Sequence, residues 1–241
     1  MAPTRQAFVW AFIGETGSGK TTLACEIIKD WRKVNRGGKV IGFDPHDVLK
    51  REKLLDHYVT EIDVNWPDIL MSRICFHCKR IKHPEKDTCT KCGKKDWRFK
   101  FANSLFAADD YRNLLQGNHT PPNVISLHGM KRRIGIDIVY TMHNPCMILE
   151  RISQYFTHFS IFSSQSSAGD FSSKIAQYVP CQKAANVINQ YVLALGGVDS
   201  QEYKKLYPNF PHILVTNSSN ELNFMNMDNK LVERLKKEGK I

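Results

Sequence analysis

Apolar positions along the chain fall into short continuous runs, separated by stretches with helical spacing. Phe8 to Ile13 is an apolar, aromatic-rich run long enough for one buried strand. Directly after it, Leu23, Ile27 and Ile28 share one side of a helical pattern, which predicts a helix from about Gly19 to Val34. Asn35-Arg36-Gly37-Gly38 ends that helix, with glycine available for a left-handed cap. Lys39 to Asp44 reads as a second short strand closed by Pro45. Strand, helix and strand at this spacing form a βαβ unit, so the sheet is at least partly parallel.

The same alternation continues. LKREKLLDHY, residues 49–58, looks helical, Val59 to Val64 reads as a strand, and Pro67 opens a short helix. Ser104 to Ala108 and Gly135 to Met142 are buried strands. Between them Pro121 and Pro122 open a helix that carries Val124, Ile125 and Leu127 and ends in Lys131-Arg132-Arg133. A helix from Met147 to Phe156 and a strand from Phe159 to Ser163 add one more unit. Beyond them, Ser163 to Lys174 is a polar loop suited to a lid or a pore-facing segment. A helix with Val187, Ile188, Tyr191 and Val192 follows. His212 to Thr216 and Glu221 to Met225 form a hairpin around Asn217-Ser218-Ser219-Asn220. The last residues, from Lys230 on, make a basic amphipathic helix.

The junction between the first strand and the first helix carries the clearest chemistry. Gly14-Glu15-Thr16-Gly17-Ser18-Gly19-Lys20-Thr21 fits G-x-x-x-x-G-K-[ST] at every position, and Thr22 continues it. Glycines let the backbone turn so that several N–H groups face one point, and the helix N-terminus adds partial positive charge there. Lys20 is placed to reach the β- and γ-phosphates of ATP, and Thr21 to hold Mg²⁺. The expected class is therefore α/β: a P-loop NTPase of RecA-like type, with a mostly parallel sheet flanked by helices.

Three further strand ends bear on that loop. Asp44-Pro45-His46-Asp47 lies beyond the second strand, where ligands of open α/β sheets collect; it is either a structural turn or a contact near the nucleotide. The strand Ser104–Ala108 ends in Asp109-Asp110, the form of a Walker B element. Asp109 takes the Mg²⁺ role and Asp110 the role of base to the attacking water; acidic pairs also cap helices. His143-Asn144-Pro145 closes the strand that ends at Met142, and His143 is either structural or a contact to the γ-phosphate or the lytic water.

Between residues 73 and 96 the pattern changes. Cys75 and Cys78, then Cys89 and Cys92, form two C-x-x-C knuckles around a lysine-rich spacer, the pattern of a zinc ribbon. His77 and His83 are alternative ligands, but four thiolates suffice for Zn²⁺. Such a segment has too little core to fold alone, so the metal would supply its folding energy. The expected organisation is an ATPase core of residues 1–72 and 97–241 with an inserted module at 73–96. Lys79, Arg80, Lys82, Lys91, Lys94, Lys95, Arg98 and Lys100 ring the module, with Phe76, Trp97 and Phe99 among them. These groups either contact nucleic acid or form a solvated surface over a small core.

Composition narrows the partners. The 241 residues carry 34 Lys and Arg against 24 Asp and Glu, a net charge of +10. A basic ATPase suggests a polyanionic partner, with nucleic acid first. No apolar run approaches the 18 residues of a membrane span, and the N-terminal run leads straight into the glycine loop, so it reads as a core strand rather than a signal peptide. Seven cysteines in such a chain point to metal in a reducing compartment rather than to disulfides.

Taken in order, these motifs resemble the FtsK–HerA superfamily of nucleic-acid-pumping ATPases, including viral genome-packaging ATPases and zonula-occludens-toxin-like phage assembly proteins. The elements that carry the resemblance are the P-loop, the Asp44-Pro45-His46-Asp47 strand end, Asp109-Asp110, the Arg132-Arg133-x-Gly135-Ile136 approach to a strand, and that strand's close, Tyr140-Thr141-Met142-His143. They span roughly residues 7–165 apart from the cysteine insertion. The resemblance implies a hexameric ring that drives DNA through a central channel. It implies that Gly14 to Thr22 bind ATP and that Asp109 holds Mg²⁺. Asp110 stands where the family usually has Glu, and His143 where it usually has Gln. Arg133 or Arg151 would act as an arginine finger across a subunit interface. The zinc ribbon is not part of the family's core.

The lack of a membrane span and of room for an extra barrel domain makes the chain most like a viral packaging ATPase. Such a motor loads a genome into a preformed capsid, with a capsid or portal vertex protein as partner, in the host cytoplasm or on the virion. Two other functions are compatible with the motifs. Thymidine-kinase-like enzymes also pair a P-loop with four zinc-binding cysteines, although there the metal site follows the Walker B acid and here it precedes Asp109-Asp110. A zinc-ribbon DNA-binding protein switched by nucleotide is the other.

Overall fold

The computed structural model describes residues 7–59, 65–111, 120–143, 145–148, 150–164, 171–219 and 221–241. Of the predicted strand Val59 to Val64 all but Val59 lies outside these, as do Asn144, the centre of the polar loop at 165–170 and Asn220.

Eight strands form the main sheet. In chain order they are β1 (Val9–Ile13), β2 (Lys39–Phe43), β3 (His57–Tyr58), β6 (Ser104–Ala108), β7 (Ile136–Met142), β8 (His158–Ile161), β9 (His212–Thr216) and β10 (Asn223–Met225). Two more, β4 (Arg73–Cys75) and β5 (Trp97–Phe99), pair antiparallel as a separate ribbon. The order across the main sheet is β10-β9-β8-β1-β7-β6-β2-β3. From β8 to β3 every pairing is parallel, whereas β9 and β10 are antiparallel additions. The glycine-loop strand β1 thus sits centrally, flanked by β7 and β8.

A parallel sheet must be covered on both faces, and the side chains of each strand divide accordingly. Val9, Ala11 and Ile13 of β1 join one apolar cluster, with Phe106 of β6 and Ile138 and Tyr140 of β7. Phe12 of β1, Leu105 of β6 and Val139 of β7 join the other. Helix α1 (Lys20–Val34) covers the second face through Ala24, Cys25, Ile28 and Trp31. Helices α4 (Pro122–Ile134) and α6 (Tyr178–Ala194) cover the first.

The predicted helix through LKREKLLDHY is only one turn, α2 (Val48–Arg51). Tertiary bonds redirect the chain after it. The Asp56 carboxylate accepts from the Val40 amide at 2.8 Å and from Arg32 at 2.9 Å, which draws His57 and Tyr58 onto the sheet edge beside β2. The helix Met147–Phe156 is likewise shorter. A 3₁₀ turn at Pro145–Met147 precedes one α-turn, α5 (Glu150–Ser153). There the Ser153 hydroxyl donates to the Glu150 carbonyl and accepts from the Ala176 amide, so it serves the neighbouring loop rather than a longer helix. Pro67 does sit in the first turn of α3 (Trp66–Met71). Helices α7 (Gln201–Lys204) and α8 (Asn229–Lys237) complete the tail. Among the described residues no helix is long and apolar enough to cross a membrane.

Candidate nucleotide site

The glycine loop leaves the C-terminal end of β1 and is tied to both neighbouring strands. The Gly14 amide donates to the Met142 carbonyl at 3.1 Å, and the Glu15 amide to the Ser163 carbonyl at 2.8 Å. A Cβ at Gly14 would stand 2.6 Å from that of Phe162, so the loop can start its turn only with glycine there. Gly19, at φ +99, caps α1 in the left-handed region and lies directly against the Phe210 ring.

Lys20 opens α1 and is buried. Its ammonium donates to the Glu15 carbonyl at 2.7 Å, which arches the loop over its own lysine. Burial brings the Lys20 pKa down to about 8, against the opposing influence of Asp109, Glu15 and Asp110. A triphosphate at this point would favour the charged form.

Asp109 and Asp110 follow the end of β6, adjacent to β7. The Asp109 carboxylate accepts from the Thr21 hydroxyl at 3.1 Å and from the Thr141 hydroxyl at 2.6 Å. The Asp110 amide donates to the Thr141 hydroxyl at 2.9 Å. His143 Nε2 lies 3.7 Å from the Asp110 carboxylate, and its Nδ1 lies 3.4 Å from the Thr16 hydroxyl. Residues from the glycine loop, β6 and β7 therefore meet across a cleft of about 750 Å³, the size of an ordinary small-molecule site. Thr21 and Asp109 are hard oxygen donors beside the buried lysine, a set that suits Mg²⁺ carried with phosphate.

No protein-family model matches the sequence, and no curated protein sequence does. Solved structures do match in shape. The genome-packaging NTPase B204 of Sulfolobus turreted icosahedral virus 2, in complex with ATP-gammaS, superposes with a TM-score of 0.57 at 11% identity, covering 93% of this chain and 98% of that one. B204, the DNA-packaging ATPase of Sulfolobus turreted icosahedral virus, does so with a TM-score of 0.54 at 14% identity over 93% and 98%. This chain has the fold of the viral packaging NTPases. At 93% coverage the likeness reaches beyond the motif-bearing part into the tail.

Within that fold Asp44 has a structural place. It is fully buried, its carboxylate accepts from the Val48 and Lys50 amides at 2.9 Å each, and its carbonyl accepts from Tyr58. Two residues on, His46 lines the cleft instead. Arg133 and Arg151 are both exposed and neither lines the cleft. Arg133 lies in the last turn of α4, just before the N-terminal end of β7, whereas the glycine loop follows the C-terminal end of β1.

The four cysteines of the ribbon come together, with their sulfurs all within 4.8 Å of one another. Cys75 Sγ is 3.5 Å from Cys92 Sγ, and Cys78 Sγ is 3.4 Å from Cys89 Sγ. Backbone N–H groups of Cys78 and His77 point at Cys75 and lower its pKa. Burial works to raise that of Cys89, but the amides of Lys91 and Cys92 bring it down to about 6. Four cysteine sulfurs at this spacing fit tetrahedral Zn²⁺. Around them Phe76 lies under the Arg98 guanidinium at 3.5 Å, with Lys79 at 5.1 Å. The Trp97 indole donates to the Asp87 carbonyl across the spacer.

Sequence reasoning missed three supports of the cleft. Thr141, which orders both acids, is signalled only by lying two residues before His143, on the same side of the strand. Tyr203 donates to the Ser18 carbonyl at 2.9 Å, and Phe210 backs Gly19. Neither shows any local signal, because the tail meets the loop only in three dimensions.

Proposed function

We propose that this chain hydrolyses ATP to move DNA, as one subunit of a ring that loads a viral genome into a preformed capsid. The observation that carries the proposal is the convergence of Lys20, Thr21, Asp109, Asp110 and His143 on one cleft, in a fold shared with viral packaging NTPases. Backbone amides of Gly14 to Thr22 cradle the phosphates, and Lys20 leaves the Glu15 carbonyl to neutralise them. Mg²⁺, held by Thr21 with Asp109 behind it, would spread the charge of the β- and γ-phosphates. Asp110 takes a proton from the attacking water as the water oxygen bonds to the γ-phosphorus. The bond from that phosphorus to the β,γ-bridging oxygen breaks, giving ADP and phosphate. His143 holds Asp110 in place and contacts the transferred group.

The arginine finger, from Arg133 or Arg151, comes from a neighbouring subunit in a hexameric ring, since neither faces its own cleft. Residues 73–96 are an inserted module that holds Zn²⁺ on Cys75, Cys78, Cys89 and Cys92 and meets DNA phosphate with its basic rim. A capsid or portal vertex protein anchors the ring, in the host cytoplasm or on the virion. Neither alternative function is favoured by the shared fold.

DNA-stimulated ATP hydrolysis tests the reading. Lys20→Ala should abolish turnover while DNA binding survives. Loss of DNA binding together with turnover would instead indicate a nucleotide-switched binder, and transfer of phosphate to a nucleoside would indicate a kinase.

A further inference from the structure

The cleft extends beyond the groups that face phosphate. Its lining also includes Tyr207 and Phe210, which come from the tail after α7, with Phe210 lying against Gly19. This part is built from the tail rather than from any P-loop motif. Tyr203 anchors it through its bond to the Ser18 carbonyl, and the Phe210 ring stacks on Tyr203 at 5.3 Å between centroids. Tyr207 meets Phe210 edge to face at 6.1 Å, yet remains 69% exposed. An aromatic ring that lines a ligand cleft, packs against a partly buried ring and keeps most of its surface exposed can serve as a stacking platform.

Phosphates seated on the glycine loop direct the rest of a nucleotide past the first turn of α1. Lys20, Thr22 and Tyr207 line the same cleft, so a nucleotide with its phosphates on the glycine loop can reach Tyr207 within it. Besides the groups assigned to phosphate, metal and water, the cleft's polar lining includes the Thr22 hydroxyl and the His46 imidazole. Each donates or accepts as required, so neither discriminates a donor edge from an acceptor edge of a base. Side chains able to make that distinction, Glu26, Asn209 and Asn226, line a separate pocket of about 220 Å³ that shares only Gly19 and Phe210 with the cleft.

We infer that Tyr207 binds the nucleobase of the nucleoside triphosphate by stacking, and that the site accepts adenine and guanine alike. The inference rests on the nucleotide-binding role proposed above and adds the base subsite and its selectivity to it. Stacking on an aromatic ring is strong and indifferent to base identity, because every base has a π-face.

Equilibrium binding of ATP, GTP and inorganic tripolyphosphate to the full chain separates the parts. Wild type should bind ATP and GTP within about threefold of each other and tripolyphosphate more weakly, since stacking adds to the phosphate contacts. Tyr207→Ala should weaken both nucleotides by about tenfold and leave tripolyphosphate unchanged. Tyr207→Trp should bind both nucleotides at least as well as wild type. Because Tyr207 is mostly exposed, neither variant threatens the fold. Equal ATP binding by wild type and Tyr207→Ala overturns the inference, as does an equal loss for tripolyphosphate. A wild-type preference for ATP over GTP of a hundredfold overturns the selectivity. If wild type binds none of the three ligands, the nucleotide role itself fails, an outcome distinct from the others.

Discussion

Lys20 concentrates the energetics of the site. Its charge is buried among groups that only partly compensate for lost water, so its folded pKa stands at about 8 rather than 10.5. Below about pH 8 it is charged in the folded and unfolded chain alike, and the desolvation cost is fully present. Between about pH 8 and 10.5 the folded chain releases the proton while the unfolded chain keeps it, so stability rises with pH across that window. Chemical denaturation should show wild type gaining on the order of 3 kcal/mol relative to Lys20→Met over the window. Parallel curves for the two proteins would contradict it. At this scale much was legible: Gly14 to Thr22, Asp109, Asp110 and His143 all come to one place. Thr141 was not, because a threonine in a buried strand looks like any β-branched residue until its neighbours are known. Arg133 and Arg151 stand away from the cleft of their own chain.

At the scale of elements, legibility followed how far an element depends on its own residues. Helix α1 and strand β6 match their sequence patterns closely, since apolar run, cap and glycine are all local. Strand β3 and helix α5 do not, because Asp56 and Ser153 take their partners from distant segments. The ribbon is a third case. It joins the chain through β4 and β5, and its packed groups are four cysteine side chains and a few cation-capped rings. Residues 73 to 100 hold ten Lys and Arg against three Asp and Glu, most of the net +10 of the whole chain. Without metal that charge has little to hold it together. Chelation should make the segment sensitive to protease while the eight-stranded sheet stays intact. Unchanged resistance at Lys86, Lys91 and Lys94 would remove the metal assignment.

For the molecule as a whole, the proposed reaction draws on more than one chain. The cleft contains a cation for the ground state in Lys20, but neither candidate finger reaches it. If the finger acts in trans, Lys20→Ala and Arg133→Ala (or Arg151→Ala) should each be inactive alone and active when mixed before ring assembly. Random pairing leaves about a quarter of interfaces with both groups intact, which sets the activity to expect. No recovery with either arginine variant would mean that the finger is another residue. The alternation of the sheet between two apolar clusters made the α/β class readable from the chain. The likeness of the tail to the packaging NTPases was not readable, since no motif spans residues 171–241.

The contact of Tyr203 and Phe210 with the glycine loop also bears on how the protein is made. The loop leaves the ribosome with the first strand, whereas its props lie some 185 residues later in the chain, as the Ser18–Tyr203 bond shows. During synthesis the loop lacks the backing that fixes Ser18 and Gly19. A nascent chain therefore carries the whole Walker motif without a finished phosphate cradle.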